Sequence, residues 1–291
     1  MKVTTMEVLG VQNQLGEGPV WISAEQALYW TDIRKMQIYR FYPDTMKTEY
    51  FQLHDLVTFI APRSRGGWII ALRDSLAFWE PDQDPEIIIS PLANQEGIRF
   101  NDGAVDSQGR LWIGSMNEKN PENRDGILFR MNTDLTLEVV DSGFTISNGI
   151  GWSPDNRWMY FTDTLSRTIF RYEFDQGTGA VTNRSAFIRV PDHEGFPDGL
   201  CVDSEGFLWS AQWAGSKVVR YTPDGEPADQ INLPAAHITS CAFGGKNLDD
   251  LYVTSAWDEL DENSRKQQPR AGDLFKIAQS VIGRETYPFG G

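Results

Sequence analysis

Glu17, Asn101, Asn148 and Asp198 each stand four residues before the last apolar residue of a short strand-like run, ending at Trp21, Val105, Trp152 and Val202. Carboxylate and amide oxygens gathered at one point could hold a hard divalent cation, and such a cation can polarise a carbonyl and activate water. By ligand type the set suits Ca²⁺, Mg²⁺ or Mn²⁺; Zn²⁺ and Fe²⁺ stay open, because geometry and availability also decide occupancy. Asn-Gly and Asp-Gly are ordinary turn dipeptides, so Asn148-Gly149 and Asp198-Gly199 taken singly need no function. Glu17 is not a residue that turn chemistry asks for, and four oxygen donors at one register argue together for a site.

A repeat must bring these residues together. Val105-Asp106-Ser107-Gln108-Gly109-Arg110-Leu111-Trp112 is copied as Val202-Asp203-Ser204-Glu205-Gly206-Phe207-Leu208-Trp209, and one residue longer from Trp152 to Tyr160. Looser copies start at Trp21, Arg63 and Phe243. Each joins two apolar runs through hairpin-turn residues, so Asp203-Ser204-Glu205-Gly206 reads as a hairpin rather than a calcium loop. A third, alternating run follows, as in Gln37-Ile38-Tyr39-Arg40-Phe41, and then a more polar fourth. Four short strands every ~40–50 residues is the period of propeller blades.

The expected fold is therefore all-β: one six-bladed β-propeller over residues 1–291, with four antiparallel strands per blade. The run Met6-Glu7-Val8-Leu9 has no blade of its own, and the last unit lacks a fourth strand. Pairing the two would close the ring and remove exposed edges. No stretch reads as a convincing amphipathic helix. The same count back from the strand ends adds Phe59 and Thr239 to the ring at one channel mouth. Gly18, Gly149 and Gly199 would let the inner strands crowd the axis. Residues 117–125 and 257–271 interrupt blades, as lids over a site or as solvated loops.

A net charge of −15 over 291 residues argues against nucleic acid or an anionic membrane surface as partner. The N-terminal Met1-Lys2-Val3-Thr4-Thr5-Met6-Glu7 lacks the apolar core of a signal peptide, and runs such as Gly67 to Leu72 are too short to span a bilayer. A cytoplasmic protein is expected, with Cys201 and Cys241 as neighbouring reduced thiols. Monomer and dimer both stay open. His54, His193 and His237 show no zinc-ligand spacing, and no Gly-x-Ser-x-Gly elbow is present. Aromatic residues are mostly core, with Phe59 and Trp213 as candidates for the mouth.

Leu15-Gly16-Glu17-Gly18-Pro19-Val20-Trp21, Arg99-Phe100-Asn101-Asp102-Gly103, Ser147-Asn148-Gly149-Ile150 and Phe196-Pro197-Asp198-Gly199-Leu200 closely resemble motifs of the gluconolactonase/senescence-marker-protein (regucalcin-like) family. The resemblance spans essentially the whole chain. It implies a sugar-lactone hydrolase that needs one divalent metal, with Glu17, Asn148 and Asp198 as its ligands. It also implies Arg99, Asn101 and, by the Gly114-Ser115-Met116-Asn117-Glu118 segment, Glu118 as substrate contacts, and Asp198 as the general base. Lys119 stands where some members carry an acid, which bears on substrate preference.

The expected reaction is hydrolysis of an aldono-1,4- or 1,5-lactone to the aldonic acid. Arg99 lies two residues before Asn101, so in an extended chain it shares that face, and its fork could hold sugar hydroxyls or an oxyanion. A surface ion pair is the plainer alternative for Arg99. Organophosphate or ester hydrolysis at the same metal, and a non-catalytic calcium-binding propeller, are the competing functions.

Overall fold

In the computed structural model, which describes residues 6–291, the polar residues between apolar runs form the hairpins that the repeat requires. Residues 1–5, part of the segment read above for a leader, lie outside the described residues. Asp106 Oδ1 accepts from the Gln108 and Arg110 N–H groups, and its Oδ2 from Trp112 Nε1 at 2.9 Å. Asp203 repeats this with Glu205, Phe207 and Trp209. The aspartate thus closes a turn and ties the next strand's buried tryptophan to it, as expected of hairpin chemistry rather than a calcium loop.

The strands form six four-stranded antiparallel sheets. Five use consecutive strands. The sixth is completed by Met6–Leu9, which pairs with Leu274–Ala278 in the register Met6↔Ile277 to Leu9↔Leu274. The innermost strands are Gly16–Ile22, Val57–Pro62, Ile98–Val105, Ser147–Trp152, Phe196–Val202 and His237–Gly244, and each touches the next until the last meets the first.

Apolar side chains pack between blades rather than at one centre. Every neighbouring pair shares its own cluster, such as Phe59, Ile69 and Leu76 of the second blade against Phe100, Leu111 and Ile113 of the third. Each large apolar residue buried there contributes about 1.5–3 kcal/mol, so the ring is held by its inter-blade seams. Cys201 and Cys241 lie in one such seam as free thiols, Sγ to Sγ 3.6 Å.

The C-terminal segment crosses the far end of the channel and touches every blade. Its backbone pairs with Ser204, Leu248, Pro62, Ser64 and Gly109; Glu285 accepts from Ser23, and Arg284 donates to Trp152 O. Phe289 anchors it, fully buried in the seam between the second and third blades. Of the interrupting segments, residues 257–271 hold one short helix, Glu262–Gln267, capped by Asp261 and burying no residue. Among the described residues no helix is long and apolar enough to cross a membrane.

Candidate functional site

Two buried aspartates at the ends of second strands set the approach to the ring. Asp32 Oδ2 accepts from the Gln14 N–H at 2.8 Å and Oδ1 from the Leu15 N–H at 3.1 Å, fixing the chain two residues before Glu17. Asp163 Oδ1 does the same for Thr145 N–H, at 2.9 Å, and Ile146 N–H, at 3.3 Å, ahead of Asn148. Every innermost strand then carries a β-bulge near its ring position. A bulge leaves one or two residues unpaired and re-aims their side chains, which is how ring residues turn towards the axis.

Glu17, Asn101, Asn148 and Asp198 are all buried. Asn148 Nδ2 donates to Thr164 Oγ1 at 3.1 Å, which orients the amide, and its Oδ1 has no hydrogen-bond partner. Asp198 Oδ1 has none either. The Glu17 carboxylate accepts from its neighbour's Gly18 N–H at 3.1 Å. Buried acceptors without donors cost free energy unless something else satisfies them. Burial first, and then the Asp102 charge, raises the Glu17 pKa to about 8; burial, Glu17 and Asp102 push Asp198 well above the carboxylate range. A cation would relieve the repulsion that raises both pKa values and would satisfy the bare oxygens, so the chemistry of Glu17, Asn148 and Asp198 fits one oxygen-liganded divalent cation. Among the described residues no group of three His, Cys, Asp or Glu is placed to hold a metal, so the set depends on the Asn148 amide oxygen.

Asp102 is a carboxylate of the candidate site that the sequence pattern did not single out. In a regular strand it would face away from Asn101, but the bulge between Phe100 and Gly103 turns it to line the channel. Burial raises its pKa to about 6. Its presence in the Asn101-Asp102-Gly103 motif was the available signal, and the alternation rule hid it.

The bulges also correct the back-count. Phe59 re-enters pairing opposite Ala71 and lines the channel with Val20, Gly103, Ile150 and Leu200, one layer below the mouth. Thr239 keeps its ring register, but its hydroxyl is engaged by Gly16 O at 2.5 Å and Thr254 Oγ1 at 2.8 Å, so it braces Glu17's strand. Of the three glycines, Gly149 and Gly199 do serve close approach, since a Cβ would meet Asp198 O at 2.6 Å and Ser240 Oγ at 2.2 Å. Gly18 has open space around it and is needed instead for its φ of +55°.

Above the ring lies an arginine and carboxylate network. Arg99 is buried and donates from Nη1 to Asn101 Oδ1 at 2.7 Å and to Phe100 O at 2.8 Å. Asn101 Nδ2 donates to Ser147 O at 2.9 Å, joining the third and fourth blades. Arg99 Nε stands 3.6 Å from Glu118 Oε1 and makes no hydrogen bond. Burial lowers the Arg99 pKa to about 10 against the raising effect of Glu118 and Glu17. Arg99 is therefore no surface ion pair: it sits between the ring and Glu118. Lys119 points away, pairing with exposed Glu96. Trp213 stacks on His237 at 3.9 Å and packs beside Leu15 and Ile33, while His237 Nδ1 meets Asp258 O at 3.0 Å.

Comparison with known proteins shows the family. The SMP-30/Gluconolactonase/LRE-like region model matches residues 15–257, which takes in every ring position, Arg99 and Glu118. The chain is 35% identical to a pentonolactonase, XacC, of Haloferax volcanii over 98% of both chains. It is 34% identical to the regucalcin of Danio rerio, over 98% of this chain and 97% of that one. The solved structure of a calcium-binding protein, regucalcin, from Agrobacterium tumefaciens superposes with a TM-score of 0.92 at 27% identity, covering 98% of this chain and 97% of that one. A propeller with this ring, matched at this coverage, belongs to the SMP-30/gluconolactonase/LRE-like family.

Proposed function

We propose that this chain hydrolyses a sugar lactone, an aldono-1,4- or 1,5-lactone, to the aldonic acid. The observation that carries the reading is the pair of partnerless acceptors, Asn148 Oδ1 and Asp198 Oδ1, beside buried Glu17 and beneath an arginine with a free buried Nε–H. The naming of one relative as a pentonolactonase supports the substrate class. Glu17, Asn148 and Asp198 would hold one divalent cation, which when bound polarises the lactone carbonyl and makes nearby water more acidic.

The chain's own residues supply the rest. Asp198 takes a proton as the water oxygen attacks the carbonyl carbon, and returns it to the ring oxygen as the acyl C–O bond breaks. Arg99, whose buried Nε–H makes no hydrogen bond, stabilises the negative charge that develops on the carbonyl oxygen. Asn101, whose oxygen keeps a second lone pair beside the Arg99 bond, and Glu118 accept from sugar hydroxyls. A non-catalytic calcium-binding role is the second reading, favoured by the all-oxygen donor set and by the names of the regucalcin relatives.

Acid release from a panel of aldonolactones, with the enzyme-free rate subtracted, tests the proposal. It is followed before and after chelation and after add-back of Ca²⁺, Mg²⁺, Mn²⁺, Zn²⁺ or Fe²⁺. Chelation and Asp198→Ala should each lower the rate by roughly a hundredfold or more. Turnover at the wild-type rate in either case refutes the metal lactonase. Calcium binding without turnover of any lactone moves the assignment to the second reading.

A further inference from the structure

Three arginines from three blades converge on one carboxylate at the mouth. Arg34, in the turn between Ala27–Asp32 and Gln37–Tyr42, donates from Nη1 to Glu118 Oε1 at 2.6 Å and from Nε to Asp258 Oδ2 at 2.8 Å. Arg73, just after Trp68–Leu72, donates to Glu118 Oε2 at 2.6 Å, and its Nε lies 3.8 Å from Asp55. Arg99 reaches Glu118 Oε1 from below. Glu118 itself is held by its N–H bond to Gly97 O and by Asn117, whose side chain bridges to Asp125 and accepts from Lys119 and Asn120 N–H.

Three positive charges face three negative ones, Glu118, Asp258 and Asp55, so this rim carries no surplus charge with which to recruit an anionic substrate. An ionised carboxylate is an acceptor with about four lone-pair sites, and the arginines occupy some of them from fixed directions. The remaining ones can take only donors, which on a neutral lactone means hydroxyl groups. Glu118 is only part-buried, but a lactone bound over it excludes water, and an analogue without the hydroxyl then leaves the carboxylate's remaining lone pairs without a donor and is disfavoured.

We propose that Arg34 and Arg73 are specificity-determining positioning residues that aim Glu118 over the ring, so that the mouth selects neutral lactones bearing free hydroxyls over deoxygenated lactones of the same ring size. The inference rests on the lactonase reading. Neither arginine is a catalytic residue; both act through Glu118. Burial alone would raise the Glu118 pKa, and the arginines outweigh it and lower it, in keeping with an acceptor that stays ionised. Asp258 belongs to the segment 257–271, so through Arg34 that segment also bears on selectivity.

The test compares kcat/KM for D-ribono-1,4-lactone and γ-butyrolactone in the metal-loaded protein and its variants. The wild type should favour the hydroxylated lactone strongly, and Arg34→Gln and Arg73→Gln should each cut that preference at least tenfold, chiefly through KM. Arg73→Lys should keep most of it, since one ammonium can replace the single short bond. Arg34→Lys should not, because a point charge cannot fork between Glu118 and Asp258. Because the arginine acts through Glu118, Arg34→Gln added to Glu118→Gln should change the ratio no further.

Equal loss on both lactones, or additive effects in the double variant, overturns this inference alone. A wild type without preference overturns it as well. A wild type that hydrolyses neither these two nor any lactone of the aldonolactone panel removes the lactonase reading, and the inference falls with it.

Discussion

Replacing Asp32 by alanine should loosen the fold and the ring together. Its carboxylate is fully buried and accepts from the Gln14 and Leu15 N–H groups, at 2.8 and 3.1 Å, where the chain turns into the innermost strand of the first blade. Asn13 Nδ2 also donates to it, at 3.4 Å, and a further bond, from Lys35 N–H at 3.2 Å, lies in a half-exposed turn where water can replace it. Each N–H left unsatisfied inside costs about 1–3 kcal/mol, so the two entering the strand should cost roughly 2–6 kcal/mol. At about 2 °C per kcal/mol for a chain of this size, the unfolding midpoint should fall by about 4–12 °C.

Leu15 is two residues before Glu17, so the loosened loop should also weaken cation binding. Removing groups that orient metal ligands typically costs 10–100-fold in affinity, and a loss in that range is expected by calorimetric Ca²⁺ titration. Asp163→Ala should behave alike, because Asp163 holds Thr145 and Ile146 ahead of Asn148. If Asp32→Ala unfolds within about 0.5 kcal/mol of the wild type and binds Ca²⁺ equally well, these carboxylates do not position the ring, and the argument for how the site is built fails.

Two further outcomes follow from the structure. His237 is stacked on Trp213 with its pKa lowered, by burial first, against the opposing pull of Asp258. The unfolded chain therefore takes up a proton near pH 6.5 that the folded chain refuses, so stability present above that pH is lost as pH falls below it. Between pH 7.5 and 5.5 the wild-type midpoint should drop more than that of His237→Gln, and equal drops would contradict the assignment. Phe289→Ala empties a fully buried aromatic site under the C-terminal segment and should cost about 3–5 kcal/mol in urea unfolding at unchanged m-value. A cost below about 1 kcal/mol would mean that the segment is not docked as described.

The blade period and the hairpin aspartates were readable because each depends on short-range rules, turn chemistry and strand alternation, that act within a few residues; the closing role of Met6–Leu9 followed from counting strands, one to spare at the start and one lacking in the last blade. The four oxygen donors were readable by the same short-range rules. Asp102 and Phe59 were not, because a bulge shifts the phase of a strand by an amount that the partner strand decides. Lys119 drew attention by its type, yet its ion pair with Glu96 takes it to the surface, while its neighbour Glu118 receives three arginines.

Sequence alone determined the architecture, the family resemblance and the four donors that stand near the axis. Tertiary structure decided which of their atoms are left bare. Asn101 has both ends of its amide engaged by Arg99 and Ser147, whereas Asn148 and Asp198 each keep an oxygen without a partner. It also brought Arg34, Arg73, Arg99 and Asp258, from four of the six blades, to the single residue Glu118 or its neighbour in the network. Such contacts join residues far apart along the chain, and their partners are set by ring closure and side-chain direction. No local pattern in the sequence encodes either one.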